Sequence, residues 1–566
     1  MPADVLGCRS RAYFYSATER LGRSTSSDWG DSMAGLEQVQ DLVRRVGSAM
    51  ACYVCGIDDQ DRKEIDATCE RLLRQGGSAL ERLIALVEQA RVGAALQGVP
   101  FILAMAQISR ATNGRSIFNE WRREARSEVP NLSSGDPVVD ALAEIAIDIF
   151  PLLLAIPAIQ TDQGFPGTLF LVTNPVFGSS EHRRFNAAVL ADSAFNGFFP
   201  ERTVDPLQTT SRWFMTSTGR GSSIQVALLA ATIIQSAYGW MRLRSHLDSE
   251  SFGSCLRDVV EVLRSAVAGE NVSVPAYVGF NNIALPEGTA MSTVAGVLRT
   301  YPHGDDEFIP PEARASTLGG TSTRLGFVLE SRFPFSLAMG DPPQQGVVVR
   351  PPRLYTTGND RLNRLVDLVA LGFALSVERT PPVGCKRVWT AIADPLFGGV
   401  PISWSLAPSV APVSFHEANQ SELSAVSSWL MTLESSDDRE IKIAHRRIIS
   451  ALTERADPVD GFVDAVIAWE NLFGSREGEL SFRISSAIAK LLESDTDARM
   501  ARQKALRDQY NLRSGIVHGG RHLSGGDAVR ERDSALATAV AALRKLHEDW
   551  PDLVADSDRA RKILLS

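Results

Sequence analysis

The sequence predicts a multidomain protein: a mainly α N-terminal region, a β-containing α+β middle region and a C-terminal all-α helical bundle. Three observations carry this. At 566 residues the chain exceeds what one hydrophobic core serves, and should divide into two to four domains. The hydrophobic pattern changes twice, from helical spacing to short alternating runs and back again. The composition, 44% hydrophobic and 22% charged, is that of a folded globular chain.

Residues 1–33 are Ser- and Arg-rich. They read as disordered or as lying upstream of a true start at Met33, and they lack the apolar core of a secretory signal. Region 34–268 is helical, with helices expected over Leu36–Met50, Asp61–Arg74, Ser78–Leu96, Ile117–Ser127, Val138–Phe150, Ile224–Trp240 and Gly253–Ala268. Asp136-Pro137 is a helix start, and Phe165–Asn174 reads as a strand. Region 269–406 is β-rich. Strands are expected at Val272–Phe280, Thr293–Arg299, Thr323–Arg332 and Gly346–Arg350, with one helix over Asp360–Val377. Its arginines (Arg299, Arg324, Arg332, Arg350, Arg353) are scattered and read as solvated surface. Ala407–Ser414 reads as a linker. Six helices then follow over 415–550, with short loops that imply a compact bundle. Asp457-Pro458 should start the third and Gly474 stop it; the fifth should begin at Ser494 or Asp495 and end at Gly519-Gly520. Residues 551–566 read as a tail.

Several chemistries are not visible in the sequence. Six scattered cysteines do not make a disulfide framework, which points to a reducing, cytoplasmic setting. Cys52 and Cys55, with Cys69 as the nearest third ligand, fall short of a four-ligand zinc site and read as small apolar residues. Ala141–Ile159 and Ile224–Trp240 are too short or too polar for membrane spans and read as core helices. No phosphate loop, nucleophile elbow, zinc-protease pair or two-metal carboxylate cluster occurs. No metal, cofactor or membrane partner is therefore expected.

The net charge is −9, so any nucleic-acid site must be a local basic patch. Arg499–Arg521 is one. It holds Arg499, Arg502, Lys504, Arg507, Arg513 and Arg521 against Asp508 alone, a local excess of five. That suits a phosphate backbone, and equally suits a solvated helix with cations towards its C-terminus. At about 100° per residue, Tyr510, Ser514 and His518 fall on one line with Arg513 beside it. Leu512 and Ile516 form an apolar line expected to face the bundle. An arginine holds phosphate bidentately, and a histidine transfers protons near neutral pH. Glu470 lies in line with Val459, Val463, Val466 and Phe473. It reads either as a buried, paired carboxylate or as one at the strip's edge reaching solvent. His445 reads as structural, and Arg521 and His522 as mobile loop residues within reach of a substrate.

Three blocks occur in order: Ala468-Trp469-Glu470-Asn471-Leu472-Phe473, Glu479-Leu480-Ser481-Phe482-Arg483-Ile484, and Tyr510-x2-Arg513-Ser514-x3-His518-Gly519. Together they resemble the ApeA-like branch of the HEPN superfamily over roughly 420–550, about a quarter of the chain. The resemblance implies a HEPN helical bundle with Arg513 and His518 as the catalytic pair of a metal-independent endoribonuclease. Glu470 would partner Arg513, with Tyr510 and Ser514 in support. Ser514 stands where many active HEPN nucleases carry Asn, Asp or His. The remaining RNA-binding residues would be Arg499, Arg502, Lys504, Arg507, Arg521 and His522. The resemblance further implies RNA as partner, a homodimer or higher homo-oligomer through the C-terminal bundle, and a toxin-like role in anti-phage defence (abortive infection). Regions 34–406 would then sense a phage-derived or other trigger. Alternatives are a non-catalytic RNA- or nucleotide-binding module and a dimeric interaction scaffold.

Overall fold

The computed structural model describes residues 33–57, 65–110, 115–155, 178–201, 208–244, 247–300, 326–340, 353–397, 402–404, 416–474 and 479–566. The strands expected at Phe165–Asn174 and Gly346–Arg350 and the linker at Ala407–Ser414 lie outside these residues. The chain divides into two compact units, Met1–Val129 with Leu154–Ile156, and Pro130–Leu153 with Pro157–Ser566.

The first unit is helical: α1 (Met33–Val54), α2 (Ile65–Gln75), α3 (Gly77–Gln97), α4 (Phe101–Ile108) and α5 (Ile117–Glu124). Helix α4 is not legible in advance, because Phe101–Ala106 is a short unbroken apolar run without period. Tyr53 Oη donates to Asn119 Oδ1 at 2.9 Å in the core, and Arg122 stacks over the Tyr53 ring. Cys52, Cys55 and Cys69 are buried. Burial pushes the Cys55 thiol up to about 12, so it is inert at neutral pH.

The second unit opens with α6 (Pro137–Leu154), capped as expected by Asp136, whose carboxylate accepts from the Val138 and Val139 N–H groups. Next come α7 (Ser180–Ala191), β1 (Trp213–Thr216), β2 (Gly221–Ser222), α8 (Val226–Leu243) and α9 (Ser249–Val267). Helix α8 is long and apolar enough to cross a membrane, but most of its residues are buried within the unit. The strands are β3 (Val272–Asn281), β4 (Ile283–Ala284), β5 (Ala290–Thr293), β6 (Gly296–Thr300), β7 (Phe327–Phe335), β8 (Leu337–Gly340), β9 (Lys386–Ile392), β10 (Ile402–Trp404) and β11 (His416–Glu417). Six form an antiparallel sheet of order β10-β9-β3-β7-β6-β5. The single strand expected at Thr293–Arg299 is instead the turn and second arm of the β5–β6 hairpin. Arg299 is spent on Glu330 and the Tyr277 ring.

Helix α10 (Arg353–Ser376) follows, and then α11 (Gln420–Ser435), α12 (Lys442–Ile449), α13 (Pro458–Phe473), α14 (Leu480–Leu492), α15 (Thr496–Val517), α16 (Gly525–Asp549) and α17 (Arg559–Leu565). Side chains cap these helices, at Asp457 and Asp495 as the sequence suggests. Asn419 and Glu422 make a capping box, Asp457 caps α13 with Pro458 at its first position, and Asp495 caps α15.

Three expectations are corrected. Helix α13 is buried on more than one face, through Phe462, Ala465, Val466, Trp469, Leu472 and Phe473, while Val459 and Val463 are half-buried. The central helix of a bundle has neighbours on several sides, so a one-sided strip underestimates it. Residues 551–566 are not a loose tail: α17 packs on the bundle with Ala560 and Ile563 buried. The boundary near 406–415 marks a change of element type within one compact unit. Gly372 of α10 lies against Leu430 and Val426 of α11, Phe373 packs its ring on Phe327 of β7, and β11 pairs with β4.

Candidate functional site

The block Trp469-Glu470-Asn471-Leu472, at the end of α13, ties four other helices together. Trp469 Nε1 donates to Ala535 O on α16 at 3.1 Å. Glu470 turns to α15, accepting from Tyr510 Oη at 2.8 Å and from Arg513 Nη2 at 3.3 Å. Asn471 Oδ1 accepts the Ala444 N–H in the first turn of α12 at 2.8 Å, and its Nδ2 donates to Glu440 O. The Asn471 and Leu472 carbonyls accept from Arg559 Nη1 of α17, at 3.2 and 2.9 Å. Residues of one helix point about 100° apart in succession, so consecutive polar side chains can reach different neighbours.

The Glu470 carboxylate is neither deeply buried nor free. Its side chain is 28% exposed and that of Arg513 is 20% exposed. Burial, together with the bond to this carboxylate, pushes the Tyr510 phenol up to about 12, so Tyr510 acts as a donor. The Arg513 Nε is buried and has no hydrogen-bond partner among the described residues. A buried donor left unmade is costly, on the order of 1–3 kcal/mol.

Five residues on, α15 stops. The Gly519 φ of 73° is left-handed, a conformation that favours glycine. The His518 N–H bonds back to Ser514 O at 3.1 Å, and the Gly520 and Arg521 N–H groups bond to Gly515 O at 2.8 and 3.1 Å. This reversal leaves His518 exposed at the helix end and lays Arg521 over Gly515, where a Cβ would stand 3.1 Å from the arginine's Cγ and Cδ. Arg513 thus lies in the last turns of α15, His518 at its cap and Arg521 in the loop that folds back over Gly515. Ser514 is half-buried, and His522 is exposed in the following loop.

The other basic residues do not join them. Arg499 donates to the Glu493 and Ser494 carbonyls beyond the end of α14, and Arg502 pairs with Glu493 at 2.9 Å. At about 1.5 Å per residue they stand roughly 16–21 Å from Arg513 along the helix. Lys504 and Arg507 are exposed between the two ends. Leu512 and Ile516 are only half-buried, and Leu506 is the one buried side chain of α15. Among the described residues no three His, Cys, Asp or Glu side chains are placed to hold a metal ion.

No family model, curated protein or solved structure matches the chain.

Two features escaped the sequence reading. Arg559 lies in the charged run Asp556–Lys562 that resembles any solvated tail, yet it is 3% exposed. His445 and His547 are both buried with ring centroids 6.4 Å apart, and neither Nε2 has a hydrogen-bond partner among the described residues. They lie far apart in sequence, so no spacing signal pairs them.

Proposed function

We propose that this protein is a metal-independent endoribonuclease whose C-terminal bundle is an ApeA-like HEPN domain, with Arg513 and His518 as its reactive pair. The observation that carries the proposal is the last turn of α15. Glu470, which also accepts from Tyr510, anchors the partly exposed Arg513, and His518 stands in solvent at the same helix end. The RNA's 2′-hydroxyl oxygen attacks the adjacent phosphorus, and the bond to the 5′-oxygen breaks. His518 takes the 2′ proton or gives one to the leaving oxygen, an effect typically worth about 10²–10⁴-fold. Arg513 stabilises the phosphoryl oxygens through charge-assisted hydrogen bonds. Arg521 adds a phosphate contact.

One chain carries one such pair, and general acid and base work at both oxygens is easier with two histidines. A second copy supplies the other through an isologous contact. Leu480 and Phe482 of α14 and Met500 and Val517 of α15 are apolar and 41–67% exposed, which supports these two helices as the contact. In this reading the protein is cytoplasmic and acts as a toxin-like effector in anti-phage defence, with 34–406 sensing the trigger.

Inducing the wild-type chain in cells should arrest growth and yield discrete RNA fragments, while His518→Ala and Arg513→Ala chains, equally abundant, should do neither. Identical RNA from all three would overturn the proposal. Ser514 favours a second reading, binding without cleavage. RNA binding that survives His518→Ala, with no cleavage by the wild type, would select it.

A further inference from the structure

Helix α17 is bonded to the same few residues that hold the site. The Arg559 guanidinium donates four hydrogen bonds, all to carbonyl oxygens: Asn471 and Leu472 at the end of α13, and Leu553 and Val554 after α16. The last carbonyls of any helix have no intrahelical N–H to accept from. In α13 the Glu470 carbonyl takes the Gly474 N–H at 2.8 Å, and Arg559 supplies the next two. A cation at a helix C-terminus also complements the helix dipole. The two carbonyls that follow Glu470 are thus held by the buried Arg559 of α17, beside the Asn471 side chain's bonds to Ala444 and Glu440.

Resting on the reading of Arg513 and His518 as the reactive pair, we infer that Arg559 is a positioning residue of the site. It fixes the end of α13 so that the Glu470 carboxylate meets Tyr510 and Arg513 together. Hydrogen bonds weaken steeply with misalignment, and Arg513 Nη2 already stands 3.3 Å from Glu470 Oε2. Releasing the helix end lets the carboxylate shift. The arginine loses its anchor and the phenol loses its acceptor.

The test uses the full chain with ring-labelled tyrosine, the Tyr510 signal being assigned with Tyr510→Phe. In the wild type the phenol should stay protonated to pH 11, as a value of about 12 requires. In Arg559→Met, a side chain without donors, it should ionise at lower pH than in the wild type, while burial, the larger cause, still holds it above the ordinary 10. Arg559→Lys, which keeps the charge but makes fewer bonds, should fall between. Cleavage turnover should drop on the order of tenfold to a hundredfold in Arg559→Met, with KM little changed and partial rescue by lysine. A Tyr510 phenol that behaves as in the wild type in a folded Arg559→Met chain overturns the inference. If Arg559→Met does not fold, Arg559→Lys decides in the same way. If the wild type does not cleave RNA, the ribonuclease reading fails by itself, and the phenol still reports whether Arg559 places Glu470.

Discussion

Glu470 shows how far single residues can be read from sequence. Its position on α13, among apolar neighbours, leaves two readings, a buried paired carboxylate and one at the strip's edge reaching solvent; it pairs with Arg513 at 3.3 Å and stays 28% exposed. The second donor, Tyr510, and the remaining exposure were not legible, because both depend on how α15 crosses the end of α13. The energetic expectation changes with them. A fully buried pair broken on one side costs on the order of 3–5 kcal/mol. With both side chains partly exposed, Glu470→Ala should cost about 1–3 kcal/mol, read from denaturant unfolding, and Glu470→Gln less. Both should slow RNA cleavage. An Ala variant with unchanged midpoint and unchanged cleavage would remove Glu470 from the site. Arg559 marks the limit in the other direction. Its acceptors are backbone carbonyls distant in sequence, and carbonyls leave no trace in residue identity.

At the scale of elements, caps and apolar spacing made the helices of the bundle legible nearly to their ends, since Asp457-Pro458, Asp495 and Gly519 are local signals. What packs against what was not. The helix read around His445 places that residue beside His547 of α16, close to Trp429 of α11, with Asp438 3.7 Å from His445 Nδ1. Burial, reinforced by the neighbouring His445, drives the His547 imidazole down from 6.5 to about 4. The folded chain therefore binds fewer protons at this group than the unfolded chain between those values. His547 has no effect on stability above about pH 6.5. Stability should be lost as pH falls from 6.5 towards 4, by up to about 3 kcal/mol. Asp438, held below its ordinary 3.8 first by its interaction with His445, acts in a lower window. Urea unfolding at pH 7 and pH 5 should show a larger drop for the wild type than for His547→Gln. Equal drops would assign the acid sensitivity elsewhere.

Across the whole molecule, the change of pattern near 406 was legible, but the sharing of one core across it was not. Helix α10 looks in sequence like an insertion in the β-rich region. It nonetheless supplies Gly372 to the surface of α11 and Phe373 to that of β7. A fragment of 415–566 leaves Val426 and Leu430 without this cover. It should unfold less cooperatively than the full chain and self-associate, as seen by circular dichroism and light scattering. A monomeric fragment with sharp, native-like unfolding would restore an independent domain there. The full chain should be a dimer in solution, and charge placed on the α14–α15 face by Phe482→Asp with Met500→Glu should give monomers and lose cleavage. Monomers that still cut RNA would remove the second copy from the mechanism.

The central claim is that the α15 turn cleaves RNA by the substrate's own 2′-hydroxyl. The most direct measurement incubates purified full chain with RNA in EDTA and determines the product ends. The account predicts cleavage leaving a 2′,3′-cyclic phosphate and a 5′-hydroxyl. Cleavage should be absent when the residue at the cut carries a 2′-deoxy sugar, and absent in folded His518→Ala. Cleavage that needs magnesium and leaves 5′-phosphate ends would contradict it.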